Sequence, residues 1–448
     1  MHKNRFSRVG YILAIAGSAI GLGNIWKFPY IAGANGGGAF VLVFLLTVFT
    51  IGMSVFIAEV ILGKIAKKDA VSSFEDLSPK NRKYFKYIGF SFITGVIIIS
   101  FYPIVIAWIL HYITVSVTAL PQSVQEAESY FLNYSQNSVL SQIFYFTLVF
   151  ISIAYIISKG IKKGIEKLNN NLIPALFLIF LLMLIYSFTL DGFGKAVYFM
   201  FYPDFDNFDT NSILIAVGHA FFCLSIGLTT ILTYSASISE DTHIFKATLF
   251  VVVMDVLTAI VAGLIIFSII FTADANPDKG PGLVFITLPA IFYEMGSAGI
   301  VFALFFFVAL AFAAITSAVS MIEPAVMYLI ERRGFSRKKA TNTVSLIAYS
   351  LGIMAILSMS DEFSSYLTFA NRNLFDWFDF ITSAILMPLG GIAISIFVAF
   401  IMDKNLVREN LVPYMGEFLF KVWLFILRYL TPIFIFALML KEIGILNF

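Results

Sequence analysis

A break inside the first hydrophobic stretch constrains this chain more than any other feature. Residues Val9 to Ala34 are apolar enough to enter a bilayer. Their middle, however, reads Gly17-Ser18-Ala19-Ile20-Gly21-Leu22-Gly23-Asn24, followed by Ile25-Trp26-Lys27-Phe28-Pro29. Each glycine costs a helix interior about 1 kcal/mol relative to alanine. A helix built only to cross lipid has no use for three of them beside an asparagine. Backbone released from helical bonding in hydrocarbon is tolerated only where protein or a polar cavity satisfies it. A membrane helix interrupted in this way is the usual sign of an ion or substrate site in a transporter.

The rest of the composition agrees with a membrane protein. Of 448 residues, 60% are hydrophobic and only 12% charged, where a soluble domain carries about 25% charged. A net charge of +2 says nothing about nucleic acid, but no basic cluster interleaves with aromatics, and no nucleic-acid partner is expected. The single cysteine, Cys223, excludes an internal disulfide framework and a cysteine metal cluster, and four scattered histidines do not make a zinc site. The first apolar stretch is too long for a cleavable signal and lacks a cleavage pattern, so it is expected to be mature structure.

Long apolar stretches recur along the chain. Spans are expected near 9–33, 38–63, 87–118, 139–158, 171–190, 211–237, 247–271, 297–330, 340–358, 375–402 and 415–440. Eleven spans put the termini on opposite sides. With the N-terminus inside, Lys195, Lys279, Arg372 and Lys441 fall outside, and Lys27, Lys421 and Arg428 fall within spans. The remaining 22 of the 29 Lys and Arg lie inside. This asymmetry sets a cytoplasmic N-terminus and an extracytoplasmic C-terminus. The segment Gly280-Pro281-Gly282-Leu283-Val284-Phe285-Ile286-Thr287-Leu288-Pro289 is apolar but punctuated, and reads as a re-entrant or capping loop.

A second interruption lies in span 6, at Gly218-His219-Ala220-Phe221-Phe222-Cys223-Leu224-Ser225-Ile226-Gly227-Leu228-Thr229-Thr230. Spans 1 and 6 hold equivalent places if ten spans form two five-span repeats, and paired breaks point to a midplane site. Asp255 sits deep in span 7, where a carboxylate costs at least about 2.5–3.5 kcal/mol and needs a cation, a proton or a donor. Thr316 and Ser317 in span 8 offer hydroxyls, which with backbone carbonyls suit a small hard cation. Glu59 in span 2 is expected to bond broken-helix backbone; Glu323 in span 8 has no evident role.

Taken together, these residues resemble the neurotransmitter:sodium symporter family, in its shorter prokaryotic amino-acid transporter branch. The likeness spans nearly the whole chain. It is strongest over Gly17 to Pro29, Asn35-Gly36-Gly37-Gly38-Ala39-Phe40, the Phe221-to-Gly227 break, Phe285 to Pro289 and Thr316-Ser317. It implies an all-α polytopic membrane protein of eleven transmembrane helices. Residues 1–190 would form the first repeat (spans 1–5) and residues 191–402 an inverted second (spans 6–10), with a capping loop at about 280–296. Residues 403–448 would carry a peripheral span 11. Helices 1 and 6 would be unwound around a central site, and the cycle would be alternating access driven by one or two Na+.

The resemblance also implies site residues. A first sodium site would use the Ala19 carbonyl, the Asn24 side chain, Cys223 and Asp255. A second would use the carbonyls of Gly17, Ile20 and Ala313 with the hydroxyls of Thr316 and Ser317. Relatives usually carry Ser or Thr at 223, and a thiol is a poor ligand for a hard ion. Either the Cys223 carbonyl and Asp255 suffice, or the first site is weak or absent. Many relatives have Asn at 255. Asp255 would itself supply the negative charge that chloride-dependent members need, so no chloride requirement is expected. His219 replaces a common Gln.

The substrate would be a hydrophobic or aromatic L-amino acid. Its carboxylate would meet Gly21, Gly23, the first sodium and the Tyr102 hydroxyl; its ammonium would meet carbonyls near Ala19, Phe222 and Ser225. Its side chain would face Ser18, Ile98, Phe222, Ser225, Leu228, Ser317 and Met321, and Cys223 would also border the substrate. Lys27 would pair with Asp379, or failing that Asp376, as an outer gate, with Phe222 and Tyr102 closing over the substrate. Arg5 or Lys3 would pair with Glu331 as an inner gate, where Ser237 replaces a usual tyrosine. Gly164 and Pro174 of span 5 permit local unwinding toward the second sodium site, or simply punctuate the helix start.

The expected setting is a prokaryotic cytoplasmic membrane, with lipid, sodium and an amino acid as partners and the oligomeric state left open. An intramembrane enzyme is excluded, because the four histidines show no catalytic pairing and no His-Glu-x-x-His occurs. The alternative function is a non-transporting sensor or channel-like protein on the same fold.

Overall fold

The computed structural model describes residues 5–205, 208–239, 242–277 and 280–446. Lys3 and Lys279 lie outside them. Among the described residues nine helices are long and apolar enough to cross a membrane: Gly38–Ala66, Lys83–Thr118, Val139–Ser158, Ile161–Ser187, Ile244–Thr272, Ser297–Arg333, Arg337–Met359, Leu374–Ile401 and Lys404–Glu442. They are spans 2–5 and 7–11. Span 1 is Arg8–Ala19 continued by Gly23–Ala34 at a bend of 47°. Span 6 is Thr210–Cys223 continued by Thr230–Ser235. The two breaks stand five spans apart, the spacing a five-plus-five repeat requires.

Apolar side chains face both the bundle and its outside. On span 4, Phe146, Val149, Phe150, Ile153 and Ile157 are buried, whereas Leu140, Phe144, Leu148, Ile151 and Tyr155 are exposed at helical spacing. An exposed apolar stripe of that length is a liability in water and a fitting surface in lipid.

Local chemistry sets the ends of the helices. Ser7 caps span 1, its Oγ accepting from the Gly10 N–H at 3.0 Å. Span 5 begins ten residues earlier than expected, at Ile161, as a π-helical turn Ile161–Glu166 running into Lys167–Ser187. Helical structure therefore runs through both Gly164 and Pro174. Span 11 is kinked at Gly416, whose φ of 77° is not helical; the expected start at 415 falls at that kink. The punctuated segment forms a turn, Gly280–Leu283, and a helix, Thr287–Glu294, with Phe285, Leu288 and Phe292 buried. The Tyr112 hydroxyl holds it down by donating to the Phe285 carbonyl at 2.8 Å.

Span 6 breaks where three residues take positive φ: Ser225 (51°), Gly227 (84°) and Thr229 (58°). For serine and threonine this costs of order 1–3 kcal/mol each and persists only when the surroundings over-determine it. Here the surroundings do. The Gly227 N–H donates to Glu59 Oε1 at 2.8 Å and the Leu232 N–H to Glu59 Oε2 at 3.4 Å. Glu59, fully buried, thus holds the break as expected. On the other side, a Cβ at Gly227 would lie 2.5 Å from the Met387 carbonyl oxygen, and one at Gly390 would lie 2.3 Å from the Gly227 oxygen. The break therefore rests backbone against backbone on span 10.

Candidate functional site

The break in span 1 exposes polar backbone that its neighbours satisfy. The Gly21 N–H donates to Asn24 Oδ1 at 3.2 Å and the Leu22 N–H to the Tyr102 hydroxyl at 3.3 Å. The Ser18 carbonyl accepts from Ser225 Oγ (2.9 Å) and Ser317 Oγ (3.1 Å), which ties both broken spans and span 8 together at one atom. Around this point lies a small, tightly packed cavity. Ten of the expected substrate residues line it: Ala19, Gly21, Gly23, Ile98, Tyr102, Phe222, Ser225, Leu228, Ser317 and Met321.

Two expected residues stand behind the lining. The Ser18 hydroxyl bonds Ser320 Oγ at 2.8 Å, and the Cys223 thiol lies 3.3 Å from His219 Nε2. Two that sequence reasoning missed, Leu22 and Met387, complete the wall. Leu22 lay within the recognised break and could have been named. Met387 comes from span 10, and only the seat of Gly227 on that span brings it in. No lining side chain is charged.

Two of the groups assigned to the first ion site, Asn24 and Asp255, are bonded to each other. Asn24 Nδ2 donates to Asp255 Oδ1 (2.8 Å) and to the Asp255 carbonyl (3.0 Å). Asp255 is fully buried, and its Oδ2 has no hydrogen-bond partner among the described residues. His219, stacked on Phe28 at 5.9 Å and tilted against Phe44 at 5.2 Å, leaves its Nδ1 likewise without one. At the second site, the hydroxyl of Thr316 donates to the Ala313 carbonyl at 2.9 Å. A Cβ at Gly17 would lie 3.1 Å from Thr316 Cβ, so spans 1 and 8 touch there. Among the described residues no three His, Cys, Asp or Glu side chains are grouped to hold a metal. The oxygens of Asn24, Asp255, Thr316 and Ala313 are hard donors, of the kind that suits a monovalent ion rather than a transition metal.

On one side the cavity is capped in layers. Phe222 and Tyr102 line both it and a wider vestibule that also includes Trp26, Phe375 and Asp376. Above them the Lys27 ammonium lies 4.0 Å from the Phe222 ring centroid and 3.7 Å from Asp379. Among the described residues Lys27 pairs with Asp379 and not Asp376.

On the opposite side, the Phe6 N–H donates to the Ser237 carbonyl at 3.1 Å and Tyr11 bonds Ser235 at 2.9 Å. The N-terminal segment is thereby docked on the end of span 6. Glu331 accepts from the Asp69 N–H at 2.6 Å. Arg332 binds Glu75 and Ser72. Glu323, without a role in the sequence, pairs with Arg337 of span 9 at 2.5 Å. Outside the spans, the Glu75 carboxyl is held below its usual range by that Arg332 hydrogen bond.

Known proteins are similar to this chain over its length. A crystal structure of MhsT in complex with L-phenylalanine superposes with a TM-score of 0.88 at 36% identity, covering 98% of this chain and all of that one. An uncharacterized sodium-dependent transporter of Bacillus subtilis, YhdH, is 35% identical over 99% of this chain and 98% of its own length. One from Haemophilus influenzae is 30% identical over 98% and 97%. The family model of the sodium:neurotransmitter symporters matches residues 3–136 and 135–447. The match thus runs the length of the chain, through both breaks and the cavity between them. On that ground the chain belongs to the sodium:neurotransmitter symporter family, whose members are sodium-coupled membrane transporters and not enzymes.

Proposed function

We propose that the protein imports hydrophobic or aromatic L-amino acids with one or two Na+, by alternating access and without a chloride requirement. The membrane is a prokaryotic cytoplasmic membrane, with the N-terminus inside and the C-terminus outside. One observation carries the substrate class. The cavity between the broken spans is walled by Ile98, Phe222, Leu228, Met321 and Met387 with no charged side chain, and MhsT, similar in fold and sequence, was crystallised with L-phenylalanine.

In this reading the amino-acid carboxylate meets the positive end of the half-helix that resumes at Gly23, together with the Tyr102 hydroxyl and the first sodium. The ammonium meets carbonyls at the Ala19, Phe222 and Ser225 positions. The apolar wall takes the side chain, and two methionines let it adapt to more than one shape. Asp255, with one oxygen unpartnered, contributes the charge that balances the first sodium, which supports chloride independence. Lys27 with Asp379 serves as the outer gate, and Arg5 with Glu331 as the inner.

Binding of the twenty amino acids to purified protein, each in Na+ and in K+, tests the reading. Sodium-only binding of aromatic or branched residues is expected. Sodium-independent binding, or none, refutes it. The sensor reading draws on the Cys223 thiol being turned toward His219, which weakens the first site. Uptake into vesicles driven by a sodium gradient separates the two.

A further inference from the structure

Asn169 is fully buried on span 5, midway between Gly164 and Pro174. Its Nδ2 donates to the Ile165 carbonyl at 2.8 Å. A carbonyl only accepts, so this bond fixes which end of the amide is nitrogen. The other end, Oδ1, has no hydrogen-bond partner among the described residues. It is aimed at span 1: a Cβ built on Gly17 would lie 1.8 Å from it and 3.1 Å from Thr316 Cβ. The oxygen therefore packs against Gly17, one of the five residues assigned to the second sodium site, on a face of span 1 that Thr316 of span 8 also approaches.

Direction adds to proximity. Cα–Cβ bonds lean toward a helix's N-terminus, so an oxygen beside the missing Gly17 Cβ lies on the N-terminal, cytoplasmic side of that site. The same stretch of span 5 is latched to the start of span 1: Glu166 accepts from the Ser7 Oγ at 2.5 Å and the Ser7 N–H at 3.2 Å. A helix-packing role alone accounts for the bond to Ile165. It leaves the buried oxygen unexplained, because an apolar residue of the same size would fill that space without it.

We propose that Asn169 Oδ1 is a further oxygen ligand of the second sodium site, facing the ion from the cytoplasmic side. The proposal rests on the sodium-site reading given above. Neutral amide oxygen is a hard donor of the kind such an ion takes.

The test uses the full chain in detergent. The sodium midpoint is read from the melting temperature against Na+, with K+ keeping ionic strength constant. Asn169→Leu, which keeps the number of side-chain heavy atoms and removes the oxygen, is expected to weaken the midpoint about tenfold with the melting temperature in K+ unchanged. Asn169→Asp, which brings a charge to the ion, is expected to tighten it severalfold. Midpoints within twofold of the parent in both variants overturn the proposal. So does a melting temperature lowered equally in Na+ and K+ with no change in midpoint, which is the signature of packing alone. If the leucine variant does not fold, the aspartate midpoint decides by itself. Thr316→Ala with Ser317→Ala is measured alongside. If it keeps the parent midpoint, the second-site reading falls and this ligand with it. If it loses the sodium response while both Asn169 variants keep theirs, only the Asn169 assignment is overturned.

Discussion

Replacing Glu59 tests whether the break in span 6 is held by a single side chain. Its two oxygens serve two buried amides, Gly227 N–H at 2.8 Å and Leu232 N–H at 3.4 Å. In Glu59→Gln the remaining oxygen can keep Gly227, but the new NH2 faces the Leu232 N–H, donor against donor. A buried donor left unsatisfied costs about 1–3 kcal/mol. The longer bond argues for the middle of that range, so about 2 kcal/mol. Binding requires the break to be in place, so this cost emerges in affinity. At 1.4 kcal/mol per factor of ten it is a loss of roughly 30-fold. Glu59→Ala orphans both amides and leaves a void, for at least about twice that cost. The assay is equilibrium binding, in sodium, of whichever amino acid the parent binds most tightly, on protein shown to be monodisperse. A Gln variant that binds within threefold of the parent would refute the idea that Glu59 sets the geometry of the break.

Three further expectations concern the ion sites. Asp255→Asn removes the built-in charge beside Asn24, so uptake should weaken and recover on adding chloride; unchanged, chloride-insensitive uptake would count against charge substitution. Thr316→Ala with Ser317→Ala should abolish sodium-dependent binding, and its retention would mean the second site lies elsewhere. Cys223→Ser should tighten apparent sodium affinity severalfold by offering a hydroxyl in place of a poor ligand; a looser affinity in titrations would show that the site is adapted to the thiol.

Most of this architecture is legible in the sequence because the bilayer makes backbone satisfaction compulsory. Glycines and small polar residues inside apolar stretches then have few readings. The breaks at Gly21 and Gly227, the capping segment around Phe285 and the Glu59 contact all follow from that rule. What escaped obeys another. Span 5 was expected from 171 because Lys162, Lys163, Lys167 and three consecutive asparagines read as loop. Yet Glu166, Asn169, Ile173, Leu176, Phe180, Met183 and Ser187 are all buried. That is an unbroken three-four spacing which continues through polar positions and was visible to periodicity, though not to hydropathy. Met387 and the Glu323–Arg337 pair could not be read this way. Each depends on which helix lies beside which, and no local pattern in span 8, 9 or 10 encodes it.

The contact of Gly227 with Met387 and Gly390 has a mechanical meaning. Two backbones in touch have no side chain to yield between them, so span 10 cannot slide past the break and can only tilt about it. Asp379 stands eight residues from that pivot, a lever of about 12 Å at 1.5 Å per residue. A tilt of roughly 10° then swings its carboxylate by about 2 Å. That is enough to part it from Lys27, now 3.7 Å away, while Met387 at the fulcrum barely moves. The Lys27–Asp379 pair can thus part on a rotation too small to disturb the wall of the cavity below it.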